Sequence, residues 1–487
     1  MNRIIYIIRK KRRIKLSKEI QKFDLIVIGS GSGLDVADAA SEHGLKVAII
    51  EEGKVGGTCL NRGCIPSKML IHSADLVNEI KRADLFGIDI DSSSLSIDFK
   101  KIVNRVNKFI DSDSDQIKAS LERSENPRLF LTKCKFVGDK KLVLMGENSE
   151  ENKIITAEKI LIASGTRPNI PEIKGLKESG YITSDEALRS LEQPSVLTFI
   201  GGGYIACELA HFFGSLGTKI NIIQRNRVLI PREDEEVSTK FTEIFSKKYN
   251  VYLGYNTESV SIDKNDHKGD FCVVARNADN KIIEIKSDQL LISVGRGPNS
   301  DRLDLADKTG VQLDDKGFVK VDEYLETAVR GIFALGDAVG KYQFKHNCNN
   351  EAQYAFHNIL NPDKKVAVDY YAMPHAIFTS PQIAGVGFTE QELRSLKQYD
   401  YHKSVYQYIN TAMGKAIEDE EGFVKFLVDK KDRRILGCHI MGSDASTLIH
   451  EVLVAMRVAD GKIDSISETI HIHPALSEVI AKAASNI

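Results

Sequence analysis

The sequence predicts an α/β protein with two Rossmann-like dinucleotide-binding domains, and three observations carry that prediction. The chain has 487 residues, long enough for about three domains, and 42% of them are hydrophobic, enough to give each a core. A short apolar strand running into a glycine-rich turn and then a small-residue helix occurs twice, with nearly the same internal spacing. A further strand-like run, Ile332, Phe333 and Leu335, ends in a turn carrying Gly336 and Asp337.

The first unit is "FDLIVIGSGSG", with glycines at Gly29, Gly31 and Gly33, followed by a helix, Gly44 and a second strand "KVAIIE" ending in Glu51. The second is "SVLTFIGGGYIACELAHFFGSLGTKINIIQ", with Gly201 and Gly203 in its turn. From first glycine to strand-end residue the spacing is 22 positions in one copy (Gly29 to Glu51) and 23 in the other (Gly201 to Gln224). A dinucleotide-binding βαβ unit places its acidic residue about 20 positions on. The glycines let the backbone approach a pyrophosphate, whose charge is met by the N–H groups that open the helix. Two such units imply two dinucleotides in one protein. At the third glycine position stand Leu34 and Ala206, so helix and strand are expected to pack less closely there, Leu34 being the larger departure.

Between the units lies "GGTCLNRGCIPSK", Gly56 to Lys68, which holds two of the seven cysteines, Cys59 and Cys64. Five residues apart on a regular helix, their Cα atoms would stand about 8.6 Å from each other, beyond the reach of a disulfide. A bridge therefore requires irregular backbone, which Gly56, Gly57 and Gly63 can supply. Pro66 suits a first helical turn, and Leu70, Ala74 and Val77, with Leu76 and Ile80, continue at helical spacing. Both cysteines then fall at or just before a helix N-terminus, where the dipole favours thiolate. Two core cysteines, or half of a metal site, are the plain alternatives from this motif alone.

Two further carboxylates look chemical. Asp337, at a strand end, can accept hydrogen bonds from sugar hydroxyls. In "HIHPALSE" His473 is paired with Glu478, the arrangement in which a carboxylate orients an imidazole that moves a proton. An ordinary turn and a structural histidine are the bland readings of each.

Charge and composition exclude other classes. Net charge is −2, and residues 1–22 hold nine Lys or Arg against one acid, so the remaining chain is mildly acidic and offers no electrostatic footprint for nucleic acid. The apolar run Ile4 to Ile8 is too short for a signal peptide core, and no stretch approaches the roughly 20 apolar residues of a membrane span. Residues 1–22 are therefore expected to be a solvated, dispensable extension. The other five cysteines are scattered, which points to a reducing, cytoplasmic setting.

Together these motifs resemble the flavoprotein pyridine nucleotide-disulfide oxidoreductases from about Phe23 onward, and "GGTCLNRGCIPSK" is most similar to the motif of dihydrolipoyl dehydrogenase and its close relatives. The Gly29 unit, the cysteine pair, "GIFALGDAVG" and "HPALSE" follow the family's order. The resemblance implies an FAD-binding domain in two parts, residues 23–172 and 296–371, around a nicotinamide-nucleotide domain, 173–295, with an α+β interface domain over 372–487. It implies that FAD is held by Gly29, Gly31, Gly33, Gly57, Thr58, Lys68, Gly165 and Gly336, with Glu51 on its adenosine ribose and Asp337 on its ribityl chain. The nicotinamide nucleotide would lie on Gly201, Gly203, Tyr204, Gln224, Arg225, Arg227 and Gly295, with the Tyr204 ring over the nicotinamide pocket.

The same resemblance implies a mechanism and an assembly. Cys59 exchanges with the substrate thiol, Cys64 lies against the flavin as a thiolate, and Lys68 and Glu208 form an ion pair beside it. His473, oriented by Glu478, is the acid/base and comes from the other subunit of a homodimer. A dihydrolipoyl dehydrogenase would oxidise the lipoyl domain of a 2-oxo acid dehydrogenase or glycine-cleavage complex. The alternative is reduction of a low-molecular-weight disulfide of glutathione, mycothiol or coenzyme A type; a non-catalytic binding subunit is disfavoured by the intact cysteines and histidine. NAD-linked members end the second nucleotide-domain strand with an acid, whereas here Gln224 is followed by Arg225, Arg227 and Arg232, which favours NADP(H) over NAD(H). The opposing reading takes these arginines as loop charges balanced by "EDEE", Glu233 to Glu236.

Overall fold

The computed structural model describes residues 16–91, 95–146, 152–263, 270–458 and 460–487. They fall into two compact units, the described parts of 16–59, 113–167 and 297–368 in one, and of 60–112, 168–296 and 369–487 in the other.

The first unit is built on the strand Leu16–Ile28, which pairs in parallel with Val47–Glu51 on one side and Asn152–Ile162 on the other. Arg128–Leu131 extends the sheet beyond Val47–Glu51, and Ile332–Ala334 joins it on Asn152–Ile162, both in parallel. An antiparallel pair, Lys133–Gly138 and Lys141–Met145, completes it. Successive side chains of a strand face opposite sides, and here both sides are covered. Leu25, Val27, Val47 and Ile49 pack in one core with Val36, Ala37 and Ala40 of helix Gly33–Glu42, while Phe23, Ile26, Ile28, Ala48 and Ile50 pack in the other. Burial on both faces explains why "LIVI", Leu25 to Ile28, reads as a continuous apolar run.

The central strand begins at Leu16, so the boundary read after Lys22 falls inside it. Ile20, Gln21 and Lys22 pair with Ile154, Ile155 and Thr156. A ladder is made by backbone groups, which a basic side chain does not disturb, so charge composition gave a boundary that the hydrogen bonding does not respect. Residues 1–15 of the predicted extension lie outside the described residues. On their basic charge and small apolar cluster, removing 1–15 is expected to leave flavin content and turnover within about twofold, a change worth under half a kcal/mol. Removing 1–22 strips pairing from Asn152–Ile162 and should lower the thermal midpoint, by about 2–4 °C per kcal/mol lost. Melts of the two truncations, followed by release of flavin fluorescence, would refute this if they coincide.

The second unit contains a parallel sheet in the order Asn250–Leu253, Lys219–Gln224, Val196–Ile200, Gln289–Ile292. It also has a three-stranded antiparallel sheet, Tyr255–Asp263, Asp270–Asn277 and Ile282–Ser287. A third sheet, antiparallel throughout, runs Pro374–Ile377, Gln382–Gly387, Ile435–Gly442, Phe423–Asp429, Tyr401–Gln407. Helices Ala445–Arg457 and Glu478–Ser485 close over its core of Val424, Phe426, Cys438 and Ile440. Residues 60–112, read from sequence as part of one continuous stretch 23–172, group here because helix Cys64–Lys81 is fastened to helix Tyr204–Ser215. Asp75 bonds His211 at 2.7 Å, and Lys81 donates to the Ser215 carbonyl at 2.8 Å.

Candidate active site

In the first unit, the turn after Leu16–Ile28 is shaped by contacts that leave no space for side chains. Gly29 has φ +104°, and a Cβ there would lie 2.3 Å from the Ala163 carbonyl oxygen. A Cβ on Gly57 would lie 2.6 Å from the Gly31 Cα, so the cysteine motif begins against the glycine turn itself. Gly33 takes the close-packing role that the sequence pattern assigns one position later, since a Cβ on it would lie 2.7 Å from Val27 Cγ1. Leu34 is therefore no packing defect; it packs against the core on that face. In the second unit Ala206 is fully buried, so its methyl is likewise accommodated.

The carboxylates around this turn are already oriented. Glu51 accepts from the Ser30 amide at 2.9 Å and the Ser30 hydroxyl at 2.7 Å, and its other oxygen takes the Gly53 amide at 2.7 Å. Asp337 accepts from Thr166 Oγ1 at 2.7 Å. Lys345 donates to Ser32 Oγ at 2.8 Å, just ahead of helix Gly33–Glu42, which adds positive charge where a phosphate would meet the helix. The buried Ser164 Oγ has no hydrogen-bond partner among the described residues, next to the Ala163 carbonyl that crowds Gly29 and ahead of Gly165 at φ +64°. A tight glycine turn, a fixed strand-end carboxylate, a cation at the helix start and an orphaned hydroxyl are together suited to a dinucleotide.

The cysteines stand on two successive helices. Gly57–Arg62 is a six-residue helix containing Thr58 and Cys59; the path breaks at Gly63 and resumes with Cys64 as the first residue of Cys64–Lys81. The backbone between them is thus irregular, and the glycines with positive φ are Gly56 and Gly57, not Gly63. Cys59 is half-buried and Cys64 exposed. Burial instead drives up the thiols of Cys134, Cys207, Cys348 and Cys438, with Cys134 and Cys348 each pushed up to about 12. One turn along from Cys64, Lys68 Nζ bonds both oxygens of Glu208, at 2.9 and 2.8 Å, lies 4.6 Å from the centre of the Phe378 ring, and so holds a cation on that helix.

At the C-terminal end, His473 Nδ1 meets Glu478 at 3.0 and 3.2 Å, and the imidazole is 72% exposed. That hydrogen bond, with the nearby imidazole charge, holds the Glu478 carboxyl below the usual range. His471 is turned away to Glu451 at 2.5 Å.

The second glycine unit repeats the first. Gly201 has φ +105°, and a Cβ on it would lie 2.5 Å from the Ser293 carbonyl oxygen; Gly295 is also left-handed, at φ +113°. Gly203 caps helix Tyr204–Ser215. Gln224 is buried, and Arg225 and Arg227 after it are exposed and make no ion pair among the described residues.

Residues 23–352 match the family model described as pyridine nucleotide-disulphide oxidoreductase, and residues 373–484 match its dimerisation domain. The chain belongs to this family. A mycothione reductase of Mycobacterium tuberculosis is 35% identical over 95% of this chain and 99% of its own length. A dihydrolipoyl dehydrogenase of Chlamydia muridarum is 34% identical over 95% of this chain and 96% of its own. Among solved structures, the Cu(II) complex of the HOCl-induced flavoprotein disulfide reductase RclA from Escherichia coli matches with a TM-score of 0.83 at 26% identity, covering 96% of this chain and 100% of that one. The chain is thus a flavoprotein disulfide oxidoreductase, in a family that works with FAD and a pyridine nucleotide.

The described contacts go against the opposing reading of Arg225 and Arg227 as charges balanced by the acids that follow. The acids of "EDEE" do not balance the arginines. Glu233 and Asp234 are buried, Glu233 against Tyr204 and His375 and Asp234 against Lys425 at 2.8 Å. Glu235 pairs with Arg394, and Glu236 with Lys403 at 2.7 Å. Apart from Tyr204, 29 positions away, the partners lie 142 to 191 positions away, and local charge counting has no access to them.

Proposed function

We propose that the chain is an FAD-dependent dithiol/disulfide oxidoreductase of dihydrolipoyl dehydrogenase type. What supports the reading most is Cys64 opening helix Cys64–Lys81 one turn before the Lys68–Glu208 ion pair, where helix dipole and cation both favour a thiolate. With the pair oxidised, a substrate thiolate attacks Cys59 Sγ and releases the Cys64 thiolate. The second substrate thiolate then attacks the mixed disulfide, leaving the substrate oxidised and both cysteines reduced. His473, oriented by Glu478, takes up the substrate thiol proton. FAD, held by Gly29, Gly31, Gly33, Gly57, Thr58, Glu51, Gly165, Gly336 and Asp337, would supply two-electron carriage between the cysteines and the nicotinamide nucleotide. The C-terminal unit leaves Ile470 and Ile472 97% and 78% exposed beside His473, which suits a homodimer interface that carries this histidine to the partner's cysteines. No described helix is long and apolar enough to cross a membrane. Steady-state assays with dihydrolipoamide, glutathione disulfide, mycothione and coenzyme A disulfide against both nucleotides test the substrate.

A second reading, NADPH-linked reduction of a low-molecular-weight disulfide, is favoured by the strand end. Gln224 brings no charge to repel a 2'-phosphate, and Arg225 and Arg227 are available because the four neighbouring acids have other partners. If Arg225 forms a charged hydrogen bond worth roughly 1.5–3 kcal/mol, Arg225→Ala should lower kcat/KM for NADPH about 10- to 100-fold and leave NADH nearly unchanged. A wild-type preference for NADH, or equal losses for both nucleotides, would return the protein to an NAD-linked dehydrogenase.

A further inference from the structure

Tyr204 is the first residue of its helix, directly after the Gly201–Gly203 turn, and its phenol is anchored. The hydroxyl donates to Glu233 Oε1 at 2.5 Å, while Glu233 Oε2 meets His375 Nε2 at 2.8 Å. Glu233 is 1% exposed, and its backbone carbonyl is bound by Gln391 Nε2 at 2.8 Å. His375 lies on strand Pro374–Ile377, opposite Gly385, and Gly385 is in turn opposite His439. A Cβ on Gly385 would stand 2.7 Å from His375 Cε1 and 3.1 Å from His439 Nδ1, so this glycine makes the slot in which the imidazole is seated.

The electrostatics agree with the geometry. Burial acts against the His375 imidazolium, but the Glu233 charge and hydrogen bond offset it and hold the group above the ordinary histidine value. Burial likewise acts against the Glu233 carboxylate, which His375 and the Tyr204 hydroxyl keep below the usual range. Burial and the Glu233 charge push the Tyr204 phenol up, so it stays a donor. The other groups facing this set are Arg232 near Tyr204 and His439 near His375 and Glu233, with Asp234 and Lys425 beyond His439; burial holds His439 below its ordinary value.

We propose that Glu233 and His375 are positioning residues for the nicotinamide half of the reaction, fixing the Tyr204 ring beside the glycine turn and so setting nucleotide affinity. The inference rests on the reading that this turn takes the nicotinamide nucleotide. A ring held in one rotamer loses no side-chain freedom when a ligand packs on it, whereas a released ring does, and that cost falls on nucleotide binding alone. Glu233 supplies a charged acceptor, and His375 keeps the acceptor charged and aimed.

The test uses the flavin-loaded enzyme with NADH and NADPH as probes, measuring nucleotide Kd by calorimetry and anaerobic flavin reduction by stopped flow. Tyr204→Phe, Glu233→Gln and His375→Gln should each raise Kd for the preferred nucleotide about 10-fold, the low end for loss of a hydrogen bond to a charged group. In Glu233→Gln and His375→Gln the limiting rate of flavin reduction by the dithiol should stay within about twofold. Tyr204→Phe combined with Glu233→Gln should be no worse than the worse single change, because both remove the same contact. Wild-type Kd should rise as pH climbs through the His375 titration, above the ordinary histidine range, and His375→Gln should flatten that rise. Tyr204→Phe keeps the ring and carries the test even if a charge change at the buried pair prevents folding. Unchanged Kd in Tyr204→Phe, additive effects in the double variant, or equal damage to the dithiol half-reaction would overturn the positioning role. A wild-type enzyme that neither binds nor is reduced by either nucleotide would instead overturn the nucleotide reading, and the inference with it.

Discussion

Replacing Cys59 by serine is expected to abolish dithiol turnover while leaving flavin bound in full. The exchanging species is a thiolate, and a serine hydroxyl is not ionised at neutral pH and cannot form a mixed disulfide. Flavin retention follows from the cradle, since the Gly29–Gly31–Gly57 approach and the fixed Glu51 and Asp337 carboxylates do not depend on Cys59 Sγ. Rescue by another cysteine is excluded for Cys134, Cys207, Cys348 and Cys438, whose thiols burial keeps protonated. Cys64→Ser should behave differently: it too retains flavin, but the two-electron-reduced protein should lack the long-wavelength absorbance that a thiolate beside the flavin produces. Absorbance spectra during anaerobic titration decide the assignment. Turnover surviving in the Cys59 variant, or the band undiminished in the Cys64 variant, would reverse the roles given to the two cysteines.

What could be read from the sequence was what is local. The two glycine units were legible because a strand buried on both faces is mostly apolar, and because a turn in which an added Cβ would lie 2.3–2.5 Å from other backbone tolerates only glycine. The pairing of His473 with Glu478 was legible because five residues separate them. Gly33 shows a finer limit, since the close approach to Val27 falls one position before the pattern places it and spares Leu34. The cysteine motif announced an irregular backbone, but not that Gly63 would break the helix with a negative φ. Glu233 and His375 were not legible at all. A run of four acids reads as a solvated surface, and only the folding of a strand 142 positions later turns one of them into a buried acceptor. The strand residues Ile20 to Lys22 were hidden for a related reason, as composition describes side chains and the ladder is made by the backbone.

Exchange of His473 for glutamine is expected to lower turnover by about 10²-fold or more, the usual contribution of a positioned acid/base. Glu478 bonds Nδ1, so the ring is oriented with Nε2 turned to whatever approaches, and the imidazole is 72% exposed on its own chain. An acid/base left in solvent has no reason to be oriented so, and its exposed neighbours Ile470 and Ile472 argue that a second subunit covers this segment. If the histidine acts across that interface, two inactive variants can repair each other. In a heterodimer of Cys59→Ser and His473→Gln subunits, one site receives the intact cysteine from one chain and the intact histidine from the other. Mixing the variants under conditions that exchange subunits should therefore restore activity that neither homodimer has, at one of the two sites. His471→Gln should cost much less, because that imidazole is committed to Glu451. Verified heterodimers that stay inactive would show that His473 serves its own chain or none, and would separate the histidine from the cysteine chemistry altogether.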